Sequence, residues 1–171
     1  MSQGCGLEIE RKYLIRYPDV DLLSRRPGCE RWDIIQTYLT DGEGGQTRRV
    51  RQVLADGETR RYRTFKRRVS ALSSVEDEAL ITRDEYEALL RERDDTRSPI
   101  IKTRYRSPHE GHVIEIDVYP FWNDRAILEV ELSSEDEPAA LPDYVRVIRE
   151  VSGEKAYKNR QLARRVPMED I

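Results

Sequence analysis

The stretch Leu7-Glu8-Ile9-Glu10-Arg11-Lys12-Tyr13-Leu14-Ile15 decides how the rest of the chain is read. Taken as a β-strand, it sends Glu8, Glu10 and Lys12 to one face and Leu7, Ile9 and Arg11 to the other. Two carboxylates two strand residues apart lie roughly 7 Å from each other and repel unless a cation or basic group sits between them. The charged face therefore either meets bulk water or lines a polar interior that holds metal and anion. The other strands choose between these.

Working outward, the same alternation returns in Asp33–Leu39, Gln46–Leu54, Thr59–Val69, Val75–Ile81, Ser98–Arg106, His112–Tyr119 and Ala126–Ser133. Asp56-Gly57 is a hairpin signal, and Ser107–Gly111 and Pro120–Asp124 read as turns. Pro18–Arg26 reads as a short helix capped near Asp19 and stopped by Pro27-Gly28. A second helix opens at Thr82 with Glu85 completing a capping box, and Tyr86, Leu89 and Leu90 form its apolar stripe. A third is expected over Tyr144–Val151, capped by Asp143, before Gly153 and a short segment Arg160–Arg165. The whole chain, 1–171, reads as one domain with a C-terminal tail from about residue 166.

Composition narrows the classes. Charged and hydrophobic residues each make up 37%, and 30 Lys+Arg face 33 Asp+Glu for a net charge of −3. Such balance argues against a basic nucleic-acid clamp and suits a protein that needs both signs at high density. Two cysteines, Cys5 and Cys29, lack zinc spacing and fit a reducing cytoplasm. No apolar run reaches membrane-spanning length and the N-terminus has no signal-peptide core, so a cytoplasmic location away from membranes is expected. The glycines of Asp41–Gly45 lack the Gly-Lys-Ser/Thr of a phosphate-binding loop, and His109-Glu110-x-His112 is not the HExxH spacing of a zinc site. Two histidines in one turn leave no Ser-His-Asp arrangement.

The polar faces of the strands share a pattern. Acidic pairs recur at Glu8/Glu10, Glu76/Glu78, Glu115/Asp117 and Glu129/Glu131. Basic sets come from Lys12, Arg49/Arg51, Lys66 and Lys102/Arg104/Arg106. The opposite faces of the later strands are aliphatic and need cover. If the helices near 84–93 and 144–151 supply it from outside, the charges point inward, and the fold is an α+β, eight-stranded antiparallel barrel with a charged interior. Charges so enclosed must pair, stay hydrated or hold ligands. Carboxylate clusters are hard oxygen ligands for Mg²⁺ or Mn²⁺, and Arg and Lys donate to phosphate oxygens. A metal-bound polyphosphate satisfies both, and phosphoryl transfer by positioning and charge neutralisation is the chemistry expected. Taken strand by strand, a single acidic pair also fits a solvated face, and a basic edge also fits protection against strand aggregation.

These residues resemble the CYTH superfamily, the triphosphate tunnel metalloenzymes, in its small single-domain bacterial form. The likeness rests on Glu8-x-Glu10-x-Lys12, Arg49-Val50-Arg51, Thr64-Phe65-Lys66, Glu76-x-Glu78, Lys102-Thr103-Arg104-Tyr105, Glu115-x-Asp117, Glu129-Val130-Glu131 and Lys155-x-Tyr157-Lys158-Asn159, in that order. It implies a metal-dependent triphosphatase. Glu8, Glu10, Glu129 and Glu131 would hold Mg²⁺ or Mn²⁺, and Lys12, Arg49, Arg51, Lys66, Lys102, Arg104 and Lys155 would grip the triphosphate. Glu8, Glu10 and Lys12 would act in catalysis, while Glu76, Glu78, Glu115 and Asp117 would order the basic side chains or a second metal. The chain departs from the resemblance twice: no Arg stands near Ser74 or Val75, and Ala156 replaces an Arg before Tyr157. Both departures predict a thinner basic lining.

The implied substrate is inorganic tripolyphosphate, cleaved to pyrophosphate and phosphate. Thiamine triphosphate hydrolysis and class IV-type cyclisation of ATP share the same grip, and a non-catalytic polyphosphate or nucleotide sensor is the rival from another class. The expected partner is a small-molecule triphosphate, with no nucleic acid and no membrane. Oligomeric state stays open, a homodimer included. Trp32 and Trp122 read as core or rim packing, and Tyr157 as either a site residue or a packing residue.

Overall fold

The computed structural model describes residues 4–171. The strands are β1 Gly4–Arg16, β2 Glu30–Tyr38, β3 Thr47–Ala55, β4 Glu58–Arg68, β5 Ser73–Ile81, β6 Ile100–His109, β7 His112–Val118, β8 Arg125–Glu131 and β9 Val147–Glu150. The helices are short: α1 Val20–Arg25, α2 Arg83–Leu90 and α3 Asn159–Leu162. None is long and apolar enough to cross a membrane.

One antiparallel sheet runs β5-β4-β3-β2-β6-β7-β8-β1-β9, and β5 also pairs with β1. That extra pairing closes β1–β8 into an eight-stranded barrel. The long β1 makes closure work. Gly4–Ile9 pair with β5, Glu10–Arg16 pair with β8, and Tyr13–Ile15 also carry β9 on the edge that β5 has left. Two hairpins are tight because both central residues of each take positive φ, Asp56-Gly57 at 51° and 74° and Glu110-Gly111 at 47° and 78°. This is the twist-matching turn that two-residue loops favour, and glycine takes the second position without strain.

The alternation seen in the sequence sorts the side chains across the wall. Outward residues of β1, β6, β7 and β8, among them Ile9, Ile15, Tyr105, Ile114, Ile116, Leu128 and Val130, form a buried layer. Its cover is Leu23 and Val20 of α1 together with Ala139, Leu141, Tyr144 and Val145 from the stretch before β9. The helix expected over 144–151 does not form: Val147–Glu150 is strand β9, laid on the free edge of β1. β-branched Val147 and Ile148 suit a strand, and that unfilled edge supplies the backbone partners a short helix would forgo. α2 behaves as expected, with Thr82 and Glu85 exchanging both capping bonds and Tyr86 packed on Leu39 and Val50 outside the barrel.

At one end the inward positions turn apolar. Leu14, Tyr38, Ile100, Tyr119 and Ile127 meet Trp122, Val151, Tyr157 and Leu162 in a second core. The C-terminal residues belong to it: Val166 and Ile171 pack there, and Trp122 Nε1 donates to the Pro167 carbonyl at 3.0 Å. The expected tail is pinned. Tyr157 is 1% exposed and takes the packing role.

Candidate active site

A cavity of about 1130 Å³ occupies the barrel interior. Of the residues singled out from the sequence, Glu8, Glu10, Lys12, Arg49, Arg51, Lys66, Glu76, Glu78, Lys102, Arg104, Glu115, Glu129, Glu131 and Lys155 all line it. Asp117 lies behind the lining, fully buried. Seven strands and the C-terminal segment thus bring together residues separated by up to 147 positions, from Glu8 to Lys155.

Most of the cations are held by carboxylates. Lys12 Nζ lies 3.0 Å from Glu129, Lys66 Nζ 2.6 Å from Glu8 and 3.7 Å from Glu76, and Arg51 3.4 Å from Glu78. Arg49 is 4.0 Å from Glu76. Asp117 anchors the β6 pair, accepting from Lys102 Nζ at 2.6 Å and from Arg104 Nε and Nη2 at 2.7 and 2.8 Å. Arg104 also donates to Glu115 at 2.9 Å. Such two-point guanidinium contacts fix the side chains in direction as well as place. Lys102 pays for its depth: burial and the neighbouring Arg104 bring its pKa down to about 8, against the pull of Asp117.

The acids are less evenly served. Register sets Glu10 directly across from Glu131, and Glu115 directly across from Glu129. Like charges opposed across a ladder destabilise the sheet unless something neutralises them. Glu129 has Lys12, Arg104 and Lys102, which outweigh its burial and hold it low. Glu10 has no ion pair within 4.0 Å among the described residues; burial and then Glu129 push its carboxyl up to about 7. Glu131 is raised as well, by burial and by Glu115 and Glu8. Uncompensated hard oxygens of this kind fit a divalent cation. In the arrangement seen, Glu8 and Glu129 are turned to Lys66 and Lys12, and no three His, Cys, Asp or Glu side chains converge among the described residues.

Near the first of the two missing arginines, Arg68 on β4 lies directly across from Ser74 and lines the cavity, its guanidinium donating to the Ser70 and Ala71 carbonyls at 2.9 and 2.8 Å. Lys158, two residues from Ala156, also lines the cavity. Burial, Arg68, Lys12 and Lys66 lower the Lys158 pKa to about 8, and no carboxylate lies within ion-pair reach of it among the described residues. Lys155, chosen from the sequence, is the more exposed of the two lysines. Arg106 joins the wall at 3.5 Å from Glu115. Lys158 belongs to the same Lys-x-Tyr-Lys-Asn motif; both lysines line the cavity, and the path of the chain around Tyr157 leaves Lys158 the less exposed of the two.

His109 and His112 are the last pair of the β6–β7 hairpin, so Ser107–His109, expected in a turn, belong to β6 and the turn itself is Glu110-Gly111; His112 Nε2 lies 3.0 Å from Glu137, and Nδ1 lies 3.1 Å from the Glu131 carbonyl. Both cysteines are free.

No protein-family model and no curated protein matches the chain. Solved structures do. The inorganic triphosphatase NE1496 is 29% identical over 94% of this chain and 99% of its own, with a TM-score of 0.57. The PH1819 protein from Pyrococcus horikoshii OT3 superposes with a TM-score of 0.59 over 75% of this chain and 80% of its own, at 19% identity. The PH1012 protein of the same organism gives 0.57 at 17% identity over the same shares. With its closed eight-stranded wall and inward charges of both signs, the chain has the CYTH, or triphosphate tunnel, fold.

Proposed function

We propose that the protein is a metal-dependent triphosphatase that cleaves inorganic tripolyphosphate to pyrophosphate and phosphate. The observation that carries this is the cavity in which paired cations face a carboxylate wall with too little positive charge of its own, Glu10 above all. A polyphosphate meets the cations, and a divalent ion meets the acids. NE1496, matched along nearly its whole length, carries the name of an inorganic triphosphatase, which supports the same substrate class.

Glu8, Glu10, Glu129 and Glu131 would hold Mg²⁺ or Mn²⁺, with Glu76, Glu78, Glu115 and Asp117 ordering the cations. The ion would neutralise charge on the phosphates as they separate. Lys12, Arg49, Arg51, Lys66, Lys102 and Arg104 would bind the phosphate oxygens, fix the chain for in-line attack by water, and neutralise the leaving group. Lys12 and Lys66 are tied to Glu129 and Glu8 in the resting arrangement. Drawing those carboxylates toward a cation would release both lysines for phosphate. Walls set by strand register keep these donors in place before substrate arrives.

The test is phosphate release by the pure protein from tripolyphosphate, ATP, thiamine triphosphate and pyrophosphate, each with Mg²⁺, Mn²⁺ or EDTA. Release from tripolyphosphate that EDTA abolishes is expected. Tight binding without release in either metal would make the protein a sensor and defeat the proposal.

A further inference from the structure

Gln36 of β2 lines the cavity and is 0% exposed. Its amide is half used. Nε2 donates to the Tyr38 hydroxyl at 2.8 Å, whereas Oε1 has no hydrogen-bond partner among the described residues. A buried acceptor without a donor is costly. Other uncharged side chains of the lining avoid that cost: Thr64 Oγ1 donates to Glu78 at 2.8 Å, and Asn159 Oδ1 accepts from the Tyr119 hydroxyl at 2.6 Å.

Register sets Gln36 directly across from Arg51 on one side and from Ile100 on the other. Arg51 donates to Glu78 from Nη2, and its Nε is a buried donor with no acceptor among the described residues. Directly paired residues have Cβ atoms about 5 Å apart. An orphan acceptor and an orphan donor thus stand side by side on the cavity wall. A triphosphate suits the donor and repels the acceptor, because its oxygens carry negative charge. The divalent ion would sit elsewhere: Glu8 and Glu10 are on β1 and Glu129 and Glu131 on β8, and β2 is four strands from β1 in either direction round the barrel. The donor that remains for the amide oxygen is water.

We propose that Gln36 Oε1 holds the attacking water of triphosphate hydrolysis. The inference rests on the triphosphatase reading and names the residue that directs its nucleophile. Arg51 Nε donates to an oxygen of the terminal phosphoryl group. The amide oxygen beside it accepts one O–H of the water, which leaves a lone pair of that water free for the phosphorus. The water oxygen bonds to phosphorus as the bond from phosphorus to the bridging oxygen breaks. The bridging oxygen leaves with that electron pair, on pyrophosphate. One water proton stays on the new P–O bond, and the other passes to a phosphate oxygen. An amide oxygen accepts a hydrogen bond and does not take the proton, so Gln36 supplies direction and not base strength. Burial and the bond to Tyr38 hold the amide in one orientation, which aiming a water requires.

The experiment measures kcat and KM for tripolyphosphate with Mg²⁺ in the wild type, Gln36→Leu and Gln36→Glu, together with the dissociation constant for tripolyphosphate in EDTA and the melting temperature. Gln36→Leu should lower kcat about tenfold, one hydrogen bond's worth, and leave KM, the dissociation constant and the melting temperature little changed. Gln36→Glu keeps an oxygen at the same place. Its kcat should exceed that of Gln36→Leu, and the ratio of its kcat to the wild type's should rise with pH as the carboxylate forms and takes the water's proton. An unchanged kcat in Gln36→Leu overturns the proposal. So does a rise in KM and in the dissociation constant at unchanged kcat, which would make the amide a phosphate ligand. Equal losses of kcat in both variants with a lowered melting temperature also overturn it, by making Gln36 structural. In each of these cases the wild type still turns over and the triphosphatase reading stands. If the wild type releases no phosphate, that reading fails and this inference falls with it.

Discussion

Asp117→Asn tests whether the buried acids exist to hold the cations. Asp117 is 0% exposed, and its two oxygens accept three bonds of 2.6–2.8 Å from Lys102 and Arg104. Asparagine keeps the shape, but it removes the charge and turns an amide donor toward a cation. Breaking a buried ion pair on one side costs about 3–5 kcal/mol, because the remaining charge is left without compensation. Arg104 keeps Glu115 at 2.9 Å and Glu129 at 3.6 Å, so the lower end, about 3 kcal/mol, is expected. Urea denaturation at pH 7 without phosphate measures it. The control is Glu150→Gln, which breaks the exposed Arg11 pair at 3.1 Å and should cost below about 1 kcal/mol. Tripolyphosphate should then narrow the Asp117→Asn deficit, because the released cations take phosphate in place of the lost carboxylate. A loss no larger than the control would refute the buried-pair argument. A deficit that tripolyphosphate leaves unchanged would remove Lys102 and Arg104 from the phosphate grip.

Glu10 makes a pH prediction. Its pKa is raised from 4.5 to about 7 in the folded protein, so its contribution is fully present below about pH 4.5 and is lost as pH rises through 7. Without divalent ions the wild type should lose up to about 3 kcal/mol from this source between pH 4.5 and 8; Glu10→Gln should lack the loss, and Mg²⁺ should offset it only in the wild type. Lys158→Met should raise the KM for tripolyphosphate about tenfold, a charged hydrogen bond's worth, with no loss of thermal stability because the lysine stands among other cations. A fall in melting temperature with an unchanged KM would assign Lys158 a structural role instead. Arg51→Glu sets a second carboxylate beside Glu78, 3.4 Å away in the present pair, and should weaken triphosphate binding at least a hundredfold in direct titration. Thr82→Ala removes the cap of α2, outside the barrel, and should lower stability by about 1 kcal/mol while leaving turnover unchanged.

The sequence by itself determined the wall. Residues two apart on a strand must share a face, so Glu8 and Glu10, Arg49 and Arg51, and Lys102 and Arg104 had to point together wherever the strands ran. That local rule made the charged faces legible; that they turn inward around a closed eight-stranded wall, and which of their residues line it, came from the ordered series of motifs and the family it resembles. The rule says nothing of height along the barrel, which register across strands decides. Tyr38, Ile100 and Ile127 obey the same alternation as their charged neighbours, yet they close one end of the cavity. Trp32 and Tyr62 fall beside Arg104 and Arg51 only because β2 pairs with β6 and β3 with β4 at one particular offset. Val147–Glu150 became a strand because β5 leaves the edge of β1 early, a vacancy that no window of local sequence contains. Lys158, Arg68 and Asp117 acquired their surroundings in the same way, from residues distant in sequence. Period-two alternation is written into the chain, whereas the energy of a buried charge depends on which partner lies within a few ångströms, and only folding sets that.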